Sequence, residues 1–140
     1  MCYGIIGYFC GMLYFIRKYP LSLLVIAAIL FLSLFNPPKT KLDPITGIDK
    51  VVHVGMYLGL ELILWIEYLR HHENLNWVKI FIFAIIAPIA LGGLMEIAQM
   101  KLTQGRSGEW ADLWADTIGV LVGAAIGYFA IQTIFRKKRN

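Results

Sequence analysis

Ionisable and hydrogen-bonding residues recur at helical spacing within stretches of the sequence that are otherwise apolar. Asp49, His53 and Tyr57 are spaced i, i+4, i+8, which places them along one face of a helix. Glu96 and Gln99 are spaced i, i+3 and share a face in the same way. His53 and Glu96 are therefore candidates for general acid–base chemistry or for holding a polar ligand, since histidine titrates near neutral pH.

A loop and the stretch that follows it add further charged groups. Arg106 lies in the loop sequence GRSG, and Asp112 and Asp116 follow it at i, i+4 spacing. Lys50 stands beside Asp49 at the start of the first polar face. Together with Glu96, these segments contain four carboxylates but only two permanent cations, Lys50 and Arg106. We therefore expect either one protonated carboxylate or a bound cationic group, because like charges held close together raise one pKa.

The composition indicates that a membrane surrounds these groups. Hydrophobic residues make up 59% of the 140-residue chain and charged residues 16%, against about 45–50% and about 25% in soluble domains. The mean hydropathy is +0.66. These values exclude a disordered chain and disfavour an ordinary soluble enzyme. Two cysteines are too few for a disulfide framework.

The apolar stretches predict an all-α, polytopic membrane protein built as a four-transmembrane-helix bundle. A bilayer of about 30 Å needs about 20 helical residues. We predict spans at 20–36, 50–69, 77–100 and 110–135. Asn36-Pro37-Pro38 ends the first span, and Pro88 is expected to kink the third. No internal repeat divides the chain, so residues 1–140 are interpreted as one domain.

The two ends of the chain receive separate predictions. Residues 1–19 form an extra N-terminal helix that is interfacial or packed in the bundle, because the link to the span at residue 20 is too short for two spans to reverse direction. A cleaved signal peptide is the alternative for this segment. Residues 136–140 form a basic tail.

Lysine and arginine placement predicts the orientation. One side of the four-span arrangement carries eight of these residues and the other carries five. The eight are Arg17, Lys18, Arg70, Lys79, Arg136, Lys137, Lys138 and Arg139. The five are Lys39, Lys41, Lys50, Lys101 and Arg106. The positive-inside rule therefore predicts that both termini are cytoplasmic. The net charge of +4 is explained by this topology and by attraction to anionic lipid. Nucleic acid is therefore not an expected partner.

This topology brings the polar groups to one level of the bundle. The polar residues at the outer ends of the second, third and fourth spans are Asp49, Lys50, His53, Glu96, Gln99, Arg106, Asp112 and Asp116. Two interpretations stay open: a salt-bridged staple that holds helix ends together, or a functional site. Ionisable residues inside a membrane favour the second.

Other polar residues have different expected roles. Glu61 lies near the middle of the second span and either extends the site inward or bonds to a backbone group or Ser33. Glu67 lies near the cytoplasmic end and is expected to be solvated. His71 and His72 are expected in a solvated turn.

Glycines mark expected contacts between helices. Gly119, Gly123 and Gly127 recur every four residues on the fourth span, and Gly92 and Gly93 lie in the third. Small residues allow close helix approach in membranes, so we predict packing surfaces there and assign these glycines no chemistry.

Three sequence elements in a fixed order resemble the VanZ-like family of bacterial integral membrane proteins. They are DKVVHVGMY at 49–57, MEIAQ at 95–99 and GRSGEWADLWADTIGVLVG at 105–123. The resemblance implies a multi-pass protein of the bacterial cytoplasmic (inner) membrane. It also implies a link between the cell envelope and antibiotic resistance, specifically tolerance of glycopeptides such as teicoplanin.

The resemblance also implies a set of site residues. Carried over position by position, the motif residues are Asp49, Lys50, His53, Tyr57, Glu96, Gln99, Arg106 and Asp112. The family usually carries asparagine at the position of Asp116, so this chain has one additional titratable group.

Three functions remain as hypotheses. The first is a site for the head group of a polar lipid or cell-envelope precursor, with Lys50 and Arg106 holding phosphate. The others are a non-catalytic envelope protein with a structural polar cluster, and a small proton-coupled transporter.

The expected partners are membrane lipids, and either a lipid-linked cell-wall precursor or a glycopeptide. No cofactor or metal is predicted, although Asp49, His53 and Glu96 could together ligate a metal. Catalysis and oligomeric state are left open.

Overall fold

The computed structural model describes residues 5–34, 47–102 and 109–139. Throughout these ranges the regular structure is helical, which confirms the predicted all-α class. The helices are α1 (Ile5–Lys18), α2 (Pro20–Leu34), α3 (Ile48–His71), α4 (Trp77–Leu102) and α5 (Trp110–Lys138). The four predicted spans correspond to α2 through α5.

Three of these helices, α3, α4 and α5, are long and apolar enough to cross a membrane. Their most apolar windows have mean hydropathies of 1.3, 2.3 and 1.9. The shortest of the three has 24 residues, which is about 36 Å of helix against a hydrocarbon core of about 30 Å. Large apolar side chains such as Val78 and Phe129 are about 70% exposed, as expected for surfaces that face lipid.

The predicted first span is not confirmed. Helix α2 has 15 residues, about 22 Å in length, and residues 35–36 of the prediction lie outside the described residues. Helices α1 and α2 meet at Tyr19 with a bend of 90°. This bend agrees with the expectation that two spans cannot reverse direction through so short a link.

Helix α4 contains a π-helical segment, Phe81–Ile86, immediately before Pro88. Proline has no N–H to donate and crowds the carbonyl four residues earlier, which here belongs to Ala84. The wider turn changes the hydrogen-bond register, and the N–H of Ala87 donates to the carbonyl of Ile82. The sequence predicted a kink at this proline, and the structure has a π-helical segment there.

The closest packing in the bundle joins α3 and α5 through glycines. A Cβ atom on Gly119 would lie 2.6 Å from the backbone oxygen of Val54, and one on Gly123 would lie 2.6 Å from Cβ of Glu61. A Cβ atom on Gly127 would overlap the indole of Trp65. The predicted glycine packing surface of this helix is therefore confirmed, because no larger residue fits at these positions.

The expectation that Glu67 is solvated was wrong. Its side chain is buried, and its carboxylate accepts hydrogen bonds from the N–H groups of Leu21 (2.8 Å) and Ser22 (3.0 Å) and from the Ser22 hydroxyl (2.6 Å). The first N–H groups of a helix have no partner within the helix, and a carboxylate satisfies them while opposing the positive end of the dipole. Glu67 thus holds the beginning of α2, at Pro20, against α3.

The core of the bundle lies where α2, α3 and α5 meet. Ile29 of α2 packs with Tyr57 and Leu60 of α3 and with Val120 of α5. A second cluster nearer the other end joins α3 to the start of α4 and contains Trp65. Helix α2 is therefore a member of the bundle, although it is shorter than the other three.

The glycine contact yields a stability prediction. We expect Gly119→Ala to lower the free energy of unfolding by about 1–3 kcal/mol, because the added methyl group must push two helix backbones apart. Gly55→Ala is the matched control, since nothing lies within 4 Å of a Cβ atom there and alanine is the better helix former. Thermal unfolding of both variants in detergent measures the difference. Equal melting temperatures would contradict the packing described here.

Candidate functional site

The polar residues gather at the end of the bundle where α3 and α5 begin and α4 ends. Gly47 directly precedes α3, and its φ of +90° lies in the left-handed region that glycine adopts without strain. Glu109 precedes α5 in an extended conformation. We call the group formed by Lys50, His53, Tyr57, Glu96, Glu109, Asp112 and Asp116 the polar cluster.

A hydrogen bond between His53 and Asp116 lies at the centre of the polar cluster. Nδ1 of His53 is 2.9 Å from Oδ1 of Asp116, and the imidazole N–H donates because a carboxylate oxygen accepts. The two residues are 4% and 1% exposed. Either group alone would be costly at this depth, so the pair accounts for the burial of both.

Several polar atoms around this pair are buried and have no hydrogen-bond partner among the described residues. They include the hydroxyl of Tyr57, Oε1 of Glu96 and Oδ2 of Asp116. The other oxygen of Glu96 accepts the N–H of Glu109 at 2.9 Å. The centre of the polar cluster thus offers more acceptors than its donors satisfy, which is uncommon for buried groups.

The partly exposed members of the polar cluster form an ion-pair network. Nζ of Lys50 lies 3.0 Å from Oε2 of Glu109 and 3.4 Å from Oδ1 of Asp112. The side chains of Lys50 and Glu109 are 42% and 54% exposed, and that of Asp112 is 7% exposed. Glu109 was not among the predicted site residues. Its position directly before the helix of Asp112 is the sequence signal that could have identified it.

Gly92 of α4 packs against the carboxylate of Asp116. A Cβ atom on Gly92 would lie 2.7 Å from Oδ2 of Asp116, whereas one on Gly93 would have only Leu113 at 4.0 Å. The sequence assigned both glycines to packing without chemistry. In the structure only the first of them adjoins a site side chain, so its lack of a side chain makes room for the Asp116 carboxylate.

The remaining predicted site residues are placed as follows. Asp49 brings a carboxylate oxygen within 4.8 Å of ligand atoms of His53 and Asp112. The amide nitrogen of Gln99 donates to the backbone oxygen of Ser33 at 3.1 Å, which joins the end of α4 to the last turn of α2. Arg106 lies outside the described residues, and so does its predicted contact with a carboxylate.

Glu61 lies deeper in the bundle, two helical turns beyond His53. It is fully buried, and its Oε1 accepts the indole N–H of Trp65 at 2.9 Å. Its Oε2 has no partner among the described residues. The expected partner Ser33 is not the one found. Trp65 follows Glu61 at i, i+4 spacing on the same helix, and this spacing is the sequence signal that could have identified the indole.

Two groups within the polar end of the bundle have the residue types and proximity of a divalent-cation site. His53, Glu96 and Asp116 are all buried and offer ligand atoms within 4.8 Å of one another, and His53 with Asp49 and Asp112 does the same. Imidazole and carboxylate are common ligands of such ions. The arrangement can therefore accept hydrogen bonds from a donor-rich group, accept a cation, or hold a proton on His53.

Comparison of the chain with protein-family models, with curated proteins and with solved structures finds no match.

The contact of Gly92 with Asp116 yields a second prediction. We expect Gly92→Ala to displace the Asp116 carboxylate and to weaken its hydrogen bond with His53, because the new methyl group would overlap Oδ2. Gly93→Ala, one residue further along the same helix, is the matched control. The nitrogen chemical shifts of the His53 imidazole in detergent report the bond. Identical spectra for both variants would show that Gly92 does not shape the polar cluster.

Proposed function

We propose that this chain is a four-span protein of the bacterial cytoplasmic membrane whose polar cluster binds the head group of a polar lipid or lipid-linked cell-envelope precursor at the outer surface. The observation that carries the proposal is the set of buried oxygens around His53 and Asp116 that have no hydrogen-bond partner within residues 5–34, 47–102 and 109–139. In an apolar bundle, such atoms raise the free energy of the folded protein until a ligand or water bonds to them.

The proposed orientation has support from the placement of charge. Lys18 at the end of α1 lies 3.2 Å from His72, which follows α3, so the basic residues near both helix ends share one end of the bundle. That end is opposite to the polar cluster. By the positive-inside rule it faces the cytoplasm, and the polar cluster faces outward.

The fourth span of the proposal is the segment 20–36. Its helical part, α2, packs on α3 and α5 through Ile29, which supports a position inside the bundle. With α2 crossing, the 90° bend at Tyr19 directs α1 along the membrane surface. This is the interfacial alternative for residues 1–19.

The chemistry of the polar cluster favours a donor-rich head group. Lys50 is already bonded to Glu109 and lies near Asp112, so it is not available to phosphate without exchanging partners. The unpartnered groups are carboxylate and phenol oxygens, which accept bonds from hydroxyl or ammonium groups. Sugar hydroxyls and amines of envelope precursors have this chemistry.

A purely structural cluster is the competing function, and the Lys50 network favours it. A staple would need the pairs that Lys50 makes with Glu109 and Asp112, but neither His53 nor the unpartnered oxygen of Glu96 would contribute to it. Exposed ion pairs of this kind contribute little to stability, because water screens the charges. The resemblance to VanZ-like proteins adds glycopeptide tolerance to the proposal as the phenotype that a functional cluster would influence.

The orientation is tested by reporter fusions. We expect an enzyme reporter that is active only in the cytoplasm to work when fused after Asn140, and one that is active only outside to work when inserted within 36–48. The reason is the excess of lysine and arginine on the side of the C-terminal tail. An external C-terminus would place the polar cluster on the cytoplasmic side and contradict the proposal.

The function is tested by His53→Ala and Glu96→Gln in a bacterial host that expresses the chain. We expect both variants to insert and fold but to lose the change in teicoplanin susceptibility that the unmodified chain confers. Glu96→Gln keeps shape and one hydrogen bond while removing the charge. Glu73→Gln, an exposed carboxylate at the opposite end of the bundle, is the charge-matched control and should behave as the unmodified chain.

Two other results would count against the functional cluster. A phenotype that persists while the melting temperature in detergent falls would identify the cluster as structural. A phenotype and a melting temperature that both persist would show that neither His53 nor Glu96 contributes to either.

A further inference from the structure

An apolar groove of about 540 Å³ opens between α1, α2, α3 and α4 at the end of the bundle opposite to the polar cluster. Its wall includes Ile26 of α2, Leu64 of α3, and Phe83 and Leu91 of α4. Along α4 it extends from Lys79 to Leu91, which is about 18 Å of helix. Its volume lies within the range of about 300–1,000 Å³ that is typical of ligand sites.

Basic residues line one end of this groove, which we call the basic mouth and define as Lys18, His72 and Lys79. Nζ of Lys18 donates to the hydroxyl of Tyr14 at 3.1 Å and to Nε2 of His72 at 3.2 Å. Nδ1 of the same imidazole lies 3.0 Å from the backbone oxygen of Tyr68 and donates to it. His72 thus orients Lys18 by accepting a hydrogen bond at Nε2.

The lysines of the basic mouth place positive charge at one end of the groove. The two hydrogen-bond partners that hold the Lys18 ammonium are a hydroxyl and an imidazole nitrogen, and neither of these groups is an anion. Arg17 and Arg70 lie near the same end and add to the positive potential. A ligand of this groove therefore carries negative charge at one end.

We propose that the groove binds an anionic phospholipid of the surrounding membrane, with an acyl chain along the apolar wall and the phosphate at the basic mouth. Two properties together select this ligand. The apolar wall buries hydrocarbon, which a soluble anion does not offer, and the lysines favour a head group with net negative charge over a zwitterionic one. Basic pockets between membrane helices on the cytoplasmic side bind anionic head groups by the same interactions. The proposal does not depend on the polar cluster or its ligand.

The test uses the purified full chain in a neutral detergent, with lipid binding followed by native mass spectrometry. The probes are phosphatidylglycerol, phosphatidylcholine with the same acyl chains, and glycerol phosphate as the soluble head group. We expect phosphatidylglycerol to bind at least about tenfold more tightly than phosphatidylcholine, since each lysine near an anionic lipid contributes about 1 kcal/mol and 1.4 kcal/mol is tenfold. Glycerol phosphate should not compete at equal concentration.

Two pairs of variants separate the groove from general surface charge. The double variant Lys18→Gln/Lys79→Gln should lose about tenfold in affinity for phosphatidylglycerol, whereas Lys137→Gln/Lys138→Gln removes the same charge outside the groove and should lose less than about twofold. Ala87→Trp fills the groove with the lysines intact and should also lose binding. Ala90→Trp lies on the same helix outside the groove lining and should not.

Several outcomes would overturn the proposal. Equal binding of the two lipids would show that the basic mouth does not select charge. Equal losses in both lysine double variants would assign the effect to the protein surface, and equal competition by glycerol phosphate would assign it to a soluble anion. Binding by Ala87→Trp equal to that of the unmodified chain would exclude the groove even if the lysine variant failed to fold.

Discussion

The close approach of α3 and α5 is the constraint on which the rest of the structure depends. Glycine at 119 lets the backbone of α5 reach that of α3 at Val54. Asp116 precedes this glycine by three residues, so its carboxylate faces α3 at the same level, and His53 precedes Val54 by one. A side chain at position 119 would push the two helices apart. The distance between His53 and Asp116, now 2.9 Å, would then increase beyond that of a good hydrogen bond. The packing and the site are therefore one arrangement, in which small residues position a buried polar pair.

The buried carboxylates at the two ends of the bundle, Glu67 and Glu96, differ in their hydrogen-bond partners. At one end, Glu67 receives three hydrogen bonds from the start of α2, so a carboxylate in an apolar setting is satisfied by backbone and hydroxyl donors. At the other end, Glu96 receives one backbone N–H, and its second oxygen has no partner among the described residues. The contrast is informative because both carboxylates are almost fully buried. Glu67 therefore has both of its oxygens satisfied by the start of a helix, whereas the part of the chain that the structure describes leaves one oxygen of Glu96 without a donor.

The parts of the structure that follow from helical periodicity could be predicted from the sequence. The i, i+4 spacing placed Asp49 and His53 on one face, and the four-residue glycine spacing indicated a packing stripe, because both depend on one helix alone. Which individual residues contact one another across two helices could not be predicted. Glu67 was assigned to solvent because its partner is the start of a helix 45 residues away in the sequence. Gly92 could not be told from Gly93, since only the rotation of α4 relative to α5 determines which of them faces Asp116.

Access to the polar cluster follows from the difference between its exposed and buried bonds. Lys50 and Glu109 are partly exposed, and an ion pair at that exposure is weak, so thermal motion opens it at little cost. The bond between His53 and Asp116 is almost fully buried, and breaking it would leave an uncompensated polar pair in an apolar setting. Under the proposed function, a ligand that approaches from the membrane surface would meet the weak pair of Lys50 and Glu109 first and the bond between His53 and Asp116 beneath it. The weak pair could then rearrange around a head group while the buried pair keeps its geometry, because preorganised polar groups need not be ordered again when a ligand binds.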